Sequence, residues 1–230
     1  MTVMRVAALF SGGKDSTYAL HKILQKGHGV CCLVTMLPAQ CDSWMFHRPC
    51  VELTKLQAEA IGIKHVMKKT EGEKEKELED LIELLSDVKR IYKIDGLVSG
   101  AVASNYQKKR IDDICEKLGL KHFSPLWGMD QEELLREEVA SFKVVITSVS
   151  TAGLDKSWLG VEINEKNVDK LIELSRKYRF NTAFEGGEAE TFVVDGPIFK
   201  KRIQLTNINT IWNEKTISGY ITAEGKLVEK

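Results

Sequence analysis

The segment Ser11-Gly12-Gly13-Lys14-Asp15-Ser16 constrains this chain more than any other. It follows Val3-Met4-Arg5-Val6-Ala7-Ala8-Leu9-Phe10, a nearly continuous apolar run of the kind a strand buried on both faces requires. A helix pattern follows, with Ala19, Leu20, Ile23 and Leu24 on one face and Gly27 placed to end it. A turn between a buried strand and a helix offers unpaired backbone N–H groups and the positive end of a helix dipole, both suited to phosphate. Two glycines let oxygens approach the main chain. Lys14 adds a point charge, and Ser11 and Ser16 add hydroxyls. The Walker A arrangement is excluded, because its first glycine and its post-lysine hydroxyl would fall on Ala8 and Asp15.

Strand and helix patterns then alternate. Val30 to Met36 reads as a second buried strand, Pro49 to Ile61 as a helix closed by Gly62, and Ile63 to Met67 as a third strand. Glu73 to Tyr92 is a long amphipathic helix, with Leu78, Leu81, Ile82, Leu85, Val88 and Tyr92 at 3–4 spacing. Gly96 to Ser99 is strand-like, and Asn105 to Leu118 is helical. Units this short predict an α/β domain, a parallel sheet with helices on both faces, over residues 1–127. After a boundary near Leu126 to Asp130 the pattern changes. Asp130-Gln131-Glu132-Glu133 opens a helix to Phe142, Lys143 to Val149 is a strand, and Asn164 to Phe180 is a helix. Phe192 to Phe199 and Lys215 to Thr222 read as antiparallel strands, so residues 128–230 form a smaller C-terminal α+β domain.

Lys plus Arg and Asp plus Glu each number 33 in 230 residues, giving a formal net charge of zero. That balance argues against a nucleic-acid or membrane-surface binder, which needs a basic excess. No apolar run reaches the roughly 20 residues of a membrane span, and the N-terminus has no signal-peptide pattern. Five irregularly spaced cysteines make neither a disulfide framework nor a zinc pattern. Cys31, Cys32 and Cys115 fall in apolar contexts and read as core, and the chain reads as cytoplasmic. The C-terminal strands offer an edge for pairing with a second copy.

The loop resembles the SGGxDS signature of the PP-loop ATP pyrophosphatases, which implies binding of ATP and its cleavage to AMP and pyrophosphate. Beyond the loop, Ser99 to Gln107 with Arg110, Ser150 to Asp155 with Trp158-Leu159-Gly160, and Glu185-Gly186-Gly187-Glu188-Ala189-Glu190-Thr191 are similar to the diphthine–ammonia ligase family. These segments span residues 1 to about 200. The resemblance implies ATP-dependent amidation of diphthine, a modified histidine on translation elongation factor 2, with ammonium as nitrogen source and an acyl-adenylate intermediate. Lys14, the loop amides and Mg²⁺ would carry the negative charge, with Asp15 as the metal ligand or else a helix cap.

Further residues follow on this reading. Ser99 and Gly100, where a fourth parallel strand ends, are assigned to the α-phosphate and ribose side of ATP. Met36 is assigned to adenine through its backbone. Glu185, Glu188 and Glu190 crowd three like charges round a Gly-Gly turn, which suits a site that attracts ammonium and takes its proton, with Gly186, Gly187 and Thr191 beside the substrate. An exposed acidic turn before a hairpin is the alternative. His47, in an apolar-aromatic loop, and Tyr106 and Gln107, at a charged helix start, are candidate substrate contacts. Two other functions remain open: a PP-loop adenylating enzyme acting on tRNA, and a module that senses ATP or AMP without chemistry.

Overall fold

The computed structural model describes residues 2–38, 50–70 and 74–230. In chain order its first elements are β1 (Arg5–Leu9), α1 (Lys14–Gln25), β2 (Gly29–Pro38), α2 (Thr54–Ile61), β3 (His65–Thr70), α3 (Lys74–Tyr92), β4 (Gly96–Val98), α4 (Asn105–Leu118) and β5 (Lys121–Phe123). Then come α5 (Gln131–Ser141), β6 (Lys143–Val149), β7 (Glu162–Ile163), α6 (Val168–Tyr178), β8 (Ala189–Asp195), β9 (Arg202–Asn213) and β10 (Ser218–Val228). The chain forms two compact units. The described residues within 1–11, 16–47 and 63–127 make the first, and those within 12–15, 48–62 and 128–230 make the second.

The first unit is built on a five-stranded sheet in the order β3-β2-β1-β4-β5, with every pairing parallel. Alternation along the strands turns Ala7, Cys32, Val34 and Leu97 to one face. There they pack with Leu81, Leu84, Leu85 and Val88 of α3 and with Ile114 and Cys115 of α4. Val6, Ala8, Leu33 and Val98 point the other way and are equally buried. This is why β1 is apolar from Val6 to Leu9: a central parallel strand has no solvent face. Ala19, Leu20 and Ile23 form the buried stripe of α1, as the 3–4 spacing predicts.

Strand order fixes where chemistry belongs in this unit. The chain runs from β1 to β2 on one side and returns to place β4 on the other, so the order reverses at β1. Open α/β sheets bind ligands at the carboxyl edge of such a point. Ser11 and Ser16 follow β1, and Ser99 and Gly100 follow β4. Ala8 pairs with Val98, so the two loops leave adjacent strands at the same level.

The second unit has a sheet in the order β7-β6-β10-β9, with β8 also paired to β6, all antiparallel. Leu134 and Leu135 of α5, Leu171 of α6, Val144 and Ile146 of β6 and Phe192 and Val193 of β8 are among its buried residues. The Asp130 carboxylate accepts from the N–H groups of Glu132 and Glu133, both at 3.0 Å, and so caps α5 as the sequence predicts. The expected strand at Phe192 to Phe199 ends instead at Asp195, where Gly196 to Phe199 closes a turn. The second C-terminal strand is one arm of a long hairpin, β9 with β10, whose first arm carries too many exposed polar residues to read as a strand. Among the described residues, no helix is long and apolar enough to cross a membrane.

Candidate functional site

Residues 12–15 of the glycine loop are held by the second unit's own groups. Gly12 has φ +80°, a left-handed conformation that glycine adopts without strain. A Cβ there would lie 2.3 Å from Gln57 Oε1. The Gln57 side chain is wholly buried, and its Nε2 donates to the carbonyls of Gly12 at 2.8 Å and Val193 at 2.7 Å. The Val193 N–H also donates to the Gly12 carbonyl at 3.0 Å. Lys14 N–H donates to Thr191 Oγ1 at 3.1 Å, which joins the loop to the end of the Glu185 to Thr191 motif.

The Lys14 ammonium is turned inward and only 1% exposed. It contacts the carboxylates of Asp15 at 2.7 Å and Glu138 at 3.1 Å, reaches the Ala183 carbonyl at 3.5 Å and lies 5.5 Å from the Phe184 ring centre. Burial opposes its charge, but Asp15 and then Glu138 outweigh burial and hold Lys14 above its ordinary value. Glu138 is itself fully buried. Burial first, and then repulsion from Asp15, push its carboxyl well above the usual range against the pull of Lys14. The Asp15 Oδ1 accepts from the Lys14 ammonium. Asp15 is a partly buried carboxylate on the loop, a donor type that suits Mg²⁺, which takes one or two carboxylates and keeps the rest of its shell for phosphate and water.

The acidic motif forms a tight turn. Phe184 and Gly187 both have left-handed backbones, φ 59° and 83°. Glu188 organises this turn, since its carboxylate accepts from Gly186 N–H at 2.9 Å and from Asn181 N–H at 3.2 Å. Sequence reasoning found no packing reason for three acids here; for Glu188 the structure supplies one. Glu185 and Glu190 are half-buried on either side of it. Among the described residues no three acidic, histidine or cysteine side chains form a group that could hold a metal ion by themselves.

In the first unit the carboxyl edge gathers Ser11, Ser16, Ser99 and Gly100. The hydroxyls of Ser11 and Ser16 are 3.1 Å apart, and Ser11 N–H donates to Ser16 Oγ at 3.3 Å. Ser99 is buried, with its N–H on the Phe123 carbonyl at 3.0 Å. Phe10 N–H donates to Val34 O and Leu33 N–H to Lys64 O, so alternation along β2 turns the backbone of Met36 toward the β1 side, two residues past the last β1 contact. Tyr106 is exposed at the start of α4, its ring under the Arg110 guanidinium at 3.9 Å, and Gln107 N–H donates to the capping Ser104. His47 lies outside the described residues.

Two residues of this arrangement escaped sequence reasoning, Gln57 and Glu138. Each left a signal, a polar side chain on a helix face whose neighbours, Ala58 and Ile61 or Leu134 and Leu135, are apolar.

A parallel sheet with a Gly-Gly loop at its switch point, joined to a second α+β unit, defines a PP-loop type of α/β protein. Residues 4–122 match the family model described as the diphthamide synthase N-terminal domain, and residues 130–227 match the diphthamide synthase C-terminal domain. The chain is 38% identical over 223 residues to the human diphthine–ammonia ligase, covering 87% of this chain and 82% of that protein. The mouse protein of the same name is 38% identical over 231 residues, with 90% and 85% covered. The zebrafish (Danio rerio) one is 35% identical over 228 residues, with 90% and 89% covered. The chain belongs to the diphthine–ammonia ligase family and is a ligase of diphthamide synthesis.

Proposed function

We propose that this ligase amidates diphthine on translation elongation factor 2, in the cytoplasm, using ATP and ammonium. The observation that carries the reading is the family match across both halves, together with the direct hydrogen bond from the glycine loop at Lys14 to the acidic motif at Thr191. In the first step the diphthine carboxylate attacks the α-phosphorus of ATP. A bond forms between carboxylate oxygen and phosphorus, the bond to the β-phosphate oxygen breaks, and pyrophosphate leaves. In the second, the lone pair of ammonia attacks the acyl carbon, a proton passes to a base, and AMP leaves.

Each group has a role in this scheme. The N–H groups of Gly12 and Gly13, with the hydroxyls of Ser11 and Ser16, bind pyrophosphate oxygens, and Lys14 supplies positive charge beside them. Ser99 and Gly100 lie on the α-phosphate and ribose side, and the Met36 backbone meets adenine. Asp15 would hold Mg²⁺, which when bound neutralises charge on the phosphates. Glu185, Glu188 and Glu190 gather ammonium, with Glu188 shaping the turn that carries the other two and one of the three taking the proton. Gly186, Gly187, Thr191, Tyr106, Gln107 and His47 are assigned to the protein substrate. Residues 1–127 bind ATP and residues 128–230 serve the acceptor.

The test is release of AMP and pyrophosphate from ATP, Mg²⁺ and ammonium, with and without diphthine-bearing elongation factor 2. Release that depends on the modified factor supports the reading. ATP binding without factor-dependent turnover sinks the acceptor assignment and favours tRNA or ATP sensing instead.

A further inference from the structure

Away from the glycine loop, the carboxyl edge of the first sheet carries a hydrogen-bonded chain of which the reaction scheme uses only Ser99. Ser99 Oγ lies 2.7 Å from His122 Nε2, and Ser124 Oγ lies 3.1 Å from the same nitrogen. On the other side of the ring, His122 Nδ1 lies 2.6 Å from Asp112 Oδ1. The second oxygen of Asp112 accepts from Lys108 Nζ at 2.6 Å, one turn back on α4. The His122 side chain is 7% exposed.

Topology explains how the chain is assembled. His122 sits on β5 opposite Leu97 of β4, so its ring reaches the serine that follows β4. Ser124 follows β5 itself and is half-buried, so both hydroxyls end at the carboxyl edge beside the switch point. Asp112 is held below the ordinary carboxylate range by the Lys108 bond first and the His122 bond second, so it is an acceptor only.

Proton positions follow from this geometry. An ionised carboxylate against Nδ1 requires that Nδ1 carry hydrogen. With that hydrogen on Nδ1, the neutral imidazole offers only a lone pair at Nε2, where the Ser99 and Ser124 hydroxyls converge. Nε2 is then the acceptor, Ser99 and Ser124 both spend their protons on it, and each oxygen keeps only lone pairs for anything bound at the edge. Such an edge repels phosphate oxygens and matches a ligand with two neighbouring O–H donors.

We propose that Asp112 and His122 are positioning residues that turn Ser99 and Ser124 into a pair of acceptors for the 2′ and 3′ hydroxyls of the ribose of ATP. The proposal rests on the nucleotide reading of this edge and refines it, giving Ser99 to the ribose rather than to the α-phosphate. It also predicts an unusual behaviour for Asp112→Asn. Lys108 continues to donate to the amide oxygen, which leaves the amide NH₂ facing Nδ1. The imidazole must then carry its hydrogen on Nε2 and donate it to Ser99, whose own proton swings toward the ligand. Shape is kept while hydroxyl polarity is reversed.

Two measurements test this. Long-range ¹H–¹⁵N NMR of the imidazoles, with His122 assigned through His122→Gln, reads the tautomer directly. The expected result is Nδ1–H in the wild type, Nε2–H in Asp112→Asn, and a return to Nδ1–H in Lys108→Met/Asp112→Asn, where the amide is free to rotate. Pyrophosphate release with ATP, 2′-deoxy-ATP and 3′-deoxy-ATP gives the second readout. The wild type should favour ATP by about tenfold in kcat/KM over at least one deoxynucleotide, the size expected for one unmet hydrogen bond. Ser99→Ala and Asp112→Asn should cut that preference to about twofold while still turning over the deoxynucleotide. Nε2–H in the wild type overturns the proposal, as does an undiminished ribose preference in Ser99→Ala and Asp112→Asn. Failure of the wild type to bind ATP at all overturns the nucleotide reading itself, whereas turnover of ATP and both deoxynucleotides at equal rates overturns the ribose assignment alone.

Discussion

The Lys14 ammonium lies 3.1 Å from the Glu138 carboxylate, with both side chains out of reach of solvent. The pair is not symmetric, because Lys14 also has Asp15 at 2.7 Å while Glu138 faces a second acid. Removing the cation therefore leaves two carboxyls together, and removing Glu138 leaves a satisfied pair. Lys14→Met is expected to cost about 3 kcal/mol in urea unfolding, the range for breaking a buried pair. Glu138→Leu should cost under about 1 kcal/mol or stabilise. Equal losses in the two variants would show that Glu138 is the indispensable partner.

Gly12 is the position where the loop tolerates least. Its φ of +80° strains any side chain, and a Cβ would collide with the amide of Gln57, which is pinned between two carbonyls. Gly12→Ala should destabilise by about 2 kcal/mol and weaken ATP binding. Gln57→Leu keeps the volume but leaves the Gln57 bonds to Gly12 O and Val193 O unmade, and should cost about 2 kcal/mol with glycines intact. Calorimetric titration with ATP distinguishes the two; normal affinity in Gln57→Leu would mean that the clamp supports stability alone.

Glu188 does structural work that its neighbours do not share. Glu188→Ala removes the acceptor of Gly186 N–H and Asn181 N–H, and a loss of about 2 kcal/mol is expected along with activity. Glu185→Gln should leave stability within about 0.5 kcal/mol and reduce only the ammonium-dependent rate. An ammonium-dependent rate unchanged in Glu185→Gln would remove that residue from the reaction.

The core cysteines give a pH test. Burial, with Cys31 a lesser contributor, pushes the Cys32 thiol up from 9.0 to about 12, and burial followed by Asp112 pushes Cys115 to about 11. A raised folded value stabilises the protein fully below the unfolded value and is lost as pH climbs through the folded one. Melting temperature should therefore be insensitive to these thiols near neutrality and should fall between pH 9 and 12, less steeply in Cys32→Ala. At pH 8 neither thiol should react with a disulfide reagent until the protein unfolds; rapid labelling of native Cys32 would contradict its burial.

Arg179 ends α6 with φ 61° and ψ 42°, a left-handed cap that costs a residue with a Cβ about 1 kcal/mol. Arg179→Gly should raise stability by roughly that amount, measured by thermal melting, and a decrease would mean that the guanidinium holds an interaction worth more than the strain.

Legibility followed the range of the forces involved. β1, the glycine loop and α1 could be read because a central parallel strand is apolar on both faces and a glycine turn breaks it, all within a few residues. The Asp130 cap was equally local. β9 was not readable, since Arg202–Asn213 is held by a register with β10 and leaves most of its side chains in water. β5 is three residues long and exists because Gly96 to Val98 lie beside it. In the candidate site, the loop and the acidic turn were visible as motifs, but their direct contact at Lys14 and Thr191 spans 177 positions, and no local pattern records it. Glu138 and Gln57 were hidden for the same reason, as polar residues whose partners come from distant segments.

That long span has a consequence for the chain as it is made. The strands that complete the first sheet have all been synthesised by about residue 123, whereas Thr191 and Val193, which fix residues 12–15, are made some seventy residues later. A nascent chain can thus own a finished sheet while its glycine loop still lacks the partners that set its shape. The loop's final shape is acquired last, once the strand that carries Thr191 and Val193 has been synthesised.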